Sequence, residues 1–194
     1  MKHRHPQSRS PEVRLKVLLV GPTSAPWATI KADVDADLAR LARPGVELSY
    51  RCTGAGPVSI RSDEDAEAAA PFVVQAIVAA AAEGFDAVIV DCTADPGVAA
   101  ARKLVSIPVV GAGEALQAAI ATAPRPVCRL TGDELRGGDV TTLAHRLRGA
   151  ATVALGGTGF SHLVEILASA DPELVVLDPL AVALEECISR LSRP

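Results

Sequence analysis

Aromatic side chains make up only 3% of this 194-residue chain, with one tryptophan, one tyrosine and three phenylalanines. So few rings exclude a base-stacking platform or an aromatic sugar-binding surface. Basic charge is also scarce: the formal net charge is -4 and is spread along the chain, which argues against a nucleic-acid partner. The four cysteines, Cys52, Cys92, Cys128 and Cys187, are far apart, with no C-x-x-C pair and no histidine cluster beside them. That pattern fits neither a zinc site nor a disulfide framework, so no metal is expected and a reduced, cytoplasmic compartment is the better fit. Long apolar runs are missing too. Leu15–Val20 is too short for a signal or a span, and Ala76–Ala82 is cut by Glu83 and Gly84, so no membrane partner is expected. The basic, polar stretch at residues 1–14 is expected to be a flexible tail.

What is present is a chain 49% hydrophobic and 22% charged, long enough for one larger domain or two small lobes. Leu15–Val20, closed by Gly21-Pro22, reads as a buried strand of the kind parallel sheets use. Ile30, Val34, Leu38 and Leu41 recur at helical spacing before Pro44-Gly45. Val46–Tyr50 is a second strand. Ser62 opens a helical stretch through Ala82, interrupted or offset at Pro71, and Ala87–Val90 is a third strand. Asp95-Pro96 has the form of a helix start, a capping Asp followed by Pro, with the helix running to about Val105. Val109-Val110, a helix from Glu114 to about Thr122 and the strand Val127–Leu130 follow. Residues 131–138 read as loop, Val140–Leu147 as helix and Thr152–Leu155 as strand. Helix Ser161–Ala170, strand Leu174–Leu177 and helix Leu180–Leu191 close the chain. The alternation predicts an α/β fold with a parallel sheet under covering helices.

Ligands of open parallel sheets gather at the carboxyl ends of the strands. Three such ends carry small or polar residues: Gly21-Pro22-Thr23-Ser24, Asp91-Cys92-Thr93-Ala94-Asp95-Pro96-Gly97 and Gly156-Gly157-Thr158-Gly159. Cys92 follows a buried strand and precedes the expected helix cap. Turn amides and the helix's positive end can lower a thiol's pKa there, which makes Cys92 the candidate acid or base; a small space-filling cysteine is the alternative. Cys187 in a helix, Cys128 inside a strand and Cys52 at the end of an outer one read as structural. Thr23 and Ser24 can bind a carboxylate or imide carbonyl, or merely cap the next segment. The glycine run lacks the G-x-G-x-x-G spacing and the G-K-[ST] ending of nucleotide loops. Glu114 and His162 are the other titratable groups near strand ends.

The block Val88-Ile89-Val90-Asp91-Cys92-Thr93-Ala94-Asp95-Pro96-Gly97, with Ala100-Ala101-Arg102 and Ile107-Pro108-Val109-Val110-Gly111-x-Gly113-Glu114-Ala115, resembles hydantoin racemases of the Asp/Glu racemase superfamily. Gly56-Pro57-Val58-Ser59-Ile60 and the first turn, with Pro22 and Ser24, are similar to that family as well. The resemblance runs from Lys16 to about Leu130 and resumes at Thr152. It implies two pseudo-symmetric parallel-sheet lobes, one from residues 15–107 plus 174–194 and the other from 108–173, the second shortened between the strands at Val127 and Val153. It also implies one cysteine from each lobe flanking the substrate's α-carbon, a thiolate removing the proton and a thiol donating it, without a cofactor. Here Leu155-Gly156-Gly157 stands where the family places its second cysteine, and Gly21 and Thr23 stand where it places substrate-holding asparagines.

Paired-thiol racemisation is therefore not supported. The expected function is proton transfer by Cys92 alone, at a carbon alpha to a carbonyl or carboxylate, in a racemase-like, epimerase-like or decarboxylase-like reaction. Thr23, Ser24, Thr93, Gly157, Thr158 and Gly159 are the expected substrate-binding positions. The substrate class is a small carboxylate, an amino acid or a hydantoin-like ring, and a homo-oligomer is expected. The competing expectation is a catalytically lapsed relative that binds a small acid or a protein partner.

Overall fold

The computed structural model describes residues 14–137 and 140–192; the expected tail falls outside them except for Arg14. The chain alternates β1 (Leu15–Gly21), α1 (Trp27–Leu41), β2 (Val46–Cys52), α2 (Asp63–Ala82), β3 (Ala87–Val90), α3 (Val98–Ala101), β4 (Val109–Gly111) and α4 (Ala112–Thr122). It continues with β5 (Val127–Thr131), α5 (Gly132–Gly137), α6 (Val140–Leu147), β6 (Thr152–Gly156), α7 (His162–Ala170), β7 (Val175–Leu177) and α8 (Pro179–Leu191). The strands form two parallel sheets, ordered β2-β1-β3-β4 and β5-β6-β7.

The continuous apolar character of β1 and β3 follows from burial on both faces. Val17, Leu19, Ala87 and Ile89 point into a cluster with Leu41, Leu180, Leu184 and Cys187 from α1 and α8. Leu18, Val20, Val88 and Val90 point the other way, against Val73, Ile77 and Ala80 of α2 and Val98 and Ala101 of α3. The second sheet has a smaller interior, a cluster centred on Leu130, Val153 and Leu155.

Strand membership moves the lobe boundaries. Val109–Gly111 had been assigned by sequence to the second lobe, but β4 pairs with β3 through Val88 and Val109. Leu174–Leu177 had been assigned to the first, but β7 pairs with β6 through Thr152 and Val175. Only α8 returns to the first sheet. The expected break at Pro71 is absent: α2 runs unbroken through it. Pro71 is exposed, and the buried stripe Ala69, Val73, Ile77 and Ala80 packs on both sides of it, offsetting the hydrogen bond a proline forgoes. Residues 132–137, expected as loop, form α5.

By length and composition α2 alone among the described helices qualifies as a membrane span. Its buried stripe lies on the first sheet, and its start is acidic, with Asp63, Glu64 and Asp65 in the first turn. Ser62 accepts a hydrogen bond from the Asp65 amide, while the Asp65 carboxylate accepts one from the Ser62 amide.

Candidate functional site

The carboxyl ends of the two sheets face one another across a cleft of about 320 Å³. The first sheet contributes Cys92, Thr93 and Ala94 after β3, and Ile60, Arg61, Ser62 and Asp63 at the approach to α2. The second contributes Thr131, Gly132, Asp133 and Arg136 after β5, and Gly156, Gly157, Thr158 and Phe160 after β6.

Two hydrogen bonds align the loops. Thr93 Oγ1 donates to the Gly156 carbonyl at 3.4 Å, and Thr158 Oγ1 donates to the Asp91 carbonyl at 3.5 Å. Residues 91 and 93 thus meet 158 and 156, which sets Cys92 opposite Gly157. A Cβ added at Gly157 would lie 3.1 Å from the edge of the Phe160 ring, in tight contact, and the backbone there is outside the left-handed region. The position can therefore carry a side chain if Phe160 gives way slightly.

The Cys92 loop is held differently from the sequence expectation. Asp95 does not cap a helix running to Val105; α3 is only Val98–Ala101, with Gly97 ahead of it at φ 74°. Asp95 itself has φ 51°, rare for a residue with a side chain. Its carboxylate instead accepts hydrogen bonds from the amides of Gly113 at 2.8 Å and Glu114 at 2.7 Å, anchoring the loop to the start of α4. Close approach requires glycine at the other side, since a Cβ at Gly113 would lie 2.1 Å from the Thr93 carbonyl. This accounts for Gly111-x-Gly113 in the sequence pattern.

The expected lowering of the Cys92 pKa is corrected as well. Burial pushes the thiol up to about 11; the charges of Asp91 and Asp95 push the same way, and the Ala94 and Asp95 amides do not offset them. A four-residue helix has little dipole to offer, and the negative charges of Asp91 and Asp95 oppose the thiolate. At neutral pH the protonated thiol therefore predominates.

Beside it, burial pushes the Asp91 carboxyl up to about 6; hydrogen bonds from Thr158 and Tyr50 pull down, and the charges of Asp37 and Asp178 push up. Its Oδ1 is buried without a hydrogen-bond partner. Tyr50, the single tyrosine, reaches Asp91 across the end of β1, and burial holds its hydroxyl far above the ordinary phenol range. A Cβ at Gly21 would sit 2.0 Å from that hydroxyl, so the phenol occupies the space a side chain there would need.

Of the substrate-binding positions expected from sequence, Thr93, Gly157 and Thr158 line the cleft with Cys92. Thr23 and Ser24 do not line it: Ser24 Oγ donates to the Gly56 carbonyl at 2.9 Å, and the Thr23 carbonyl accepts from Thr53 Oγ1 at 3.2 Å. They pin the β1 turn to the β2 turn. Gly159 lies outside as well, with Ser161 and His162 in a separate hollow beside Arg40. Glu114 is engaged by Arg102, whose Nη1 donates at 3.0 Å. The four cysteines are all unpaired, and among the described residues no His/Cys/Asp/Glu group could hold a metal. The sequence reading missed Asp91, Tyr50, Arg61, Arg136 and Phe160. Only Asp91, a charge directly after a buried strand, left a visible signal.

A family model described as Asp/Glu/Hydantoin racemase matches residues 17–134. The hydantoin racemase of Pseudomonas sp. (strain NS671) is 42% identical over 59 residues, a stretch covering 30% of this chain and 24% of that protein. Allantoin racemase from Klebsiella pneumoniae superposes with a TM-score of 0.73 at 22% identity, over 92% of this chain and 88% of that one. A mutant of arylmalonate decarboxylase in its liganded form superposes with a TM-score of 0.61 at 13% identity, over 92% of this chain and 95% of that one. At these identities the two solved structures carry the fold alone.

Proposed function

The chain belongs to the Asp/Glu/hydantoin racemase family, and on that premise we propose that it is a cofactor-independent enzyme in which Cys92 alone transfers a proton at a carbon alpha to a carbonyl or carboxylate. The observation that carries this reading is Cys92 at the floor of the inter-sheet cleft, opposite a glycine and held as a thiol. A thiol so disposed suits delivery of a proton to a carbanion or enolate on one face. In a decarboxylation the bond to the departing CO2 breaks, leaving its electron pair on the α-carbon and carbonyl. The Cys92 S–H bond then breaks, its proton goes to that carbon, and solvent reprotonates the thiolate. Inversion would require a second acid or base at the other face, where Gly157 has no side chain.

The substrate proposed is a small carboxylate, an amino acid or a hydantoin-like ring, in keeping with a cleft of about 320 Å³. The unpaired cysteines support a cytoplasmic setting, and the smaller second sheet supports a homo-oligomer that helps close the cleft. The missing second thiol also favours a second reading, a lapsed relative that binds a small acid or a protein partner.

Incubation with amino acids, hydantoins and malonates in deuterated water separates the readings. The enzyme should place deuterium at the α-carbon, with or without loss of CO2, and Cys92→Ser should not. Absence of exchange from every substrate, with a folded Cys92→Ser chain indistinguishable from wild type in cells, would leave the binding reading. A clean monomer by light scattering at micromolar concentration would remove the oligomer.

A further inference from the structure

Two arginines line the cleft from opposite walls, Arg61 at the approach to α2 and Arg136 in α5. Arg61 is anchored through its backbone amide, which donates to Asp65 at 2.9 Å. Its guanidinium donates no hydrogen bond and forms no ion pair among the described residues, although its charge also acts on Asp65. Arg136 is held in place. Its guanidinium lies over the Phe160 ring, 5.9 Å from the ring centre, and beside Gly132, where an added Cβ would be 3.2 Å from Nη1. One of its N–H groups donates to Asp133 at 2.7 Å, and its other donors are unpaired among the described residues. The Asp133 side chain is 94% exposed, so water screens that pair. Asp63 also lines the cleft, exposed in the first turn of α2, where the helix end offsets its charge. A space of about 320 Å³ thus has an unpaired guanidinium on one side and a loosely paired one on the other. Both arginines are exposed, so packing of the core requires neither.

We propose that Arg61 and Arg136 together hold an anionic group of the substrate between the two walls, so that the cleft selects a small carboxylate over a neutral hydantoin-like ring. The inference rests on the reading of this cleft as the substrate site, and it narrows the substrate class. A guanidinium binds a carboxylate through two parallel charge-assisted hydrogen bonds, and a neutral imide offers no charge to match. One arginine from each wall also means that the ligand itself bridges the two sheets. Phe160 links this anion site to the position facing Cys92, since its ring carries Arg136 on one side and meets Gly157 at its edge.

The test is titration calorimetry of the full chain at low ionic strength and near-neutral pH, with ligands of one skeleton and different charge. Succinate is a dianion, succinamide is neutral and 1,4-diaminobutane is a dication. Wild type should bind succinate about tenfold or more tighter than succinamide. Arg61→Gln and Arg136→Gln should each weaken succinate about three- to tenfold and leave succinamide within about twofold, and the double variant should lose the preference. Arg61→Lys and Arg136→Lys keep the charge without the fork, so each should lose less than its glutamine counterpart. Unchanged succinamide binding and circular dichroism certify that the variants are folded. Equal affinity of wild type for succinate and succinamide would overturn the proposal, as would no detectable succinate binding or tighter binding of 1,4-diaminobutane. A preference that survives in the double variant would overturn it too, by placing the anion elsewhere. A charge preference without α-deuterium exchange from any substrate removes the catalytic reading and leaves the anion site. Exchange without a charge preference does the reverse.

Discussion

The two sheets back the cleft very unequally. Behind Cys92 the first sheet is clothed on both faces, and β1 and β3 are buried along nearly their whole length. Its loop is pinned by Asp95 to the start of α4. Behind Gly157 the second sheet's apolar cluster centres on Leu130, Val153 and Leu155, and α7 has no buried residue. A site that must hold one thiol in place needs the rigid wall on the side that carries it. The opposite wall meets it through backbone, where the Gly156 carbonyl accepts from Thr93 Oγ1 at 3.4 Å. The asymmetry of chemistry, a thiol facing a glycine, follows the asymmetry of packing.

The strongest way to break the comparison is to remove the proposed proton-transfer group. Cys92→Ser should reduce α-hydrogen exchange by about a thousandfold or more, because a serine hydroxyl is a far weaker acid than a thiol. Retained exchange, measured by NMR in deuterated water, would move the chemistry elsewhere. Equalising the walls is the next test. Gly157→Cys should add racemisation of an amino acid or hydantoin, on the order of tenfold above wild type by chiral chromatography, provided Phe160 yields at the 3.1 Å contact. No gain in a folded variant would mean that the two walls are not set for opposed thiols.

Packing supplies a third test. Leu18→Ala and Leu155→Ala each delete a buried side chain and should cost about 2–5 kcal/mol in denaturant unfolding. With so little beneath it, the second sheet should also show the faster native-state amide exchange, and Leu155→Ala should speed exchange in β5–β7 while leaving β1 and β3 protected. Uniform protection across both sheets would erase the contrast.

A smaller effect is expected from pH. Burial raises the Asp91 carboxyl to about 6, so the folded chain holds that proton more tightly than the unfolded one. The resulting stability is complete below about pH 4 and is lost as pH rises through 6, a change of up to about 3 kcal/mol. Asp91→Asn should therefore gain stability over wild type between pH 4 and 7 and show a flatter profile there; parallel profiles would mean that Asp91 is not buried as described. The smallest effect belongs to Cys128→Ser, remote from the cleft, which should leave exchange unchanged within about twofold.

Periodicity and composition determined the alternation of strands and helices, the parallel pairing they imply and the strand-end position of Cys92, because each depends on which residues must be buried within a few positions of one another. That residue 157 is a glycine was equally legible, since identity needs no coordinates. Which sheet β4 and β7 join is a different matter. Three-residue strands carry too little pattern to choose a partner, and their pairing with β3 and β6 is set by the connections around them. Asp95-Pro96 looks locally like a helix cap, and only the approach of α4 turns that carboxylate toward Gly113 and Glu114. Local turn chemistry suggested an acidic thiol at Cys92. Desolvation and the charge of Asp91, which depend on everything packed around the cleft, made it a weak acid instead.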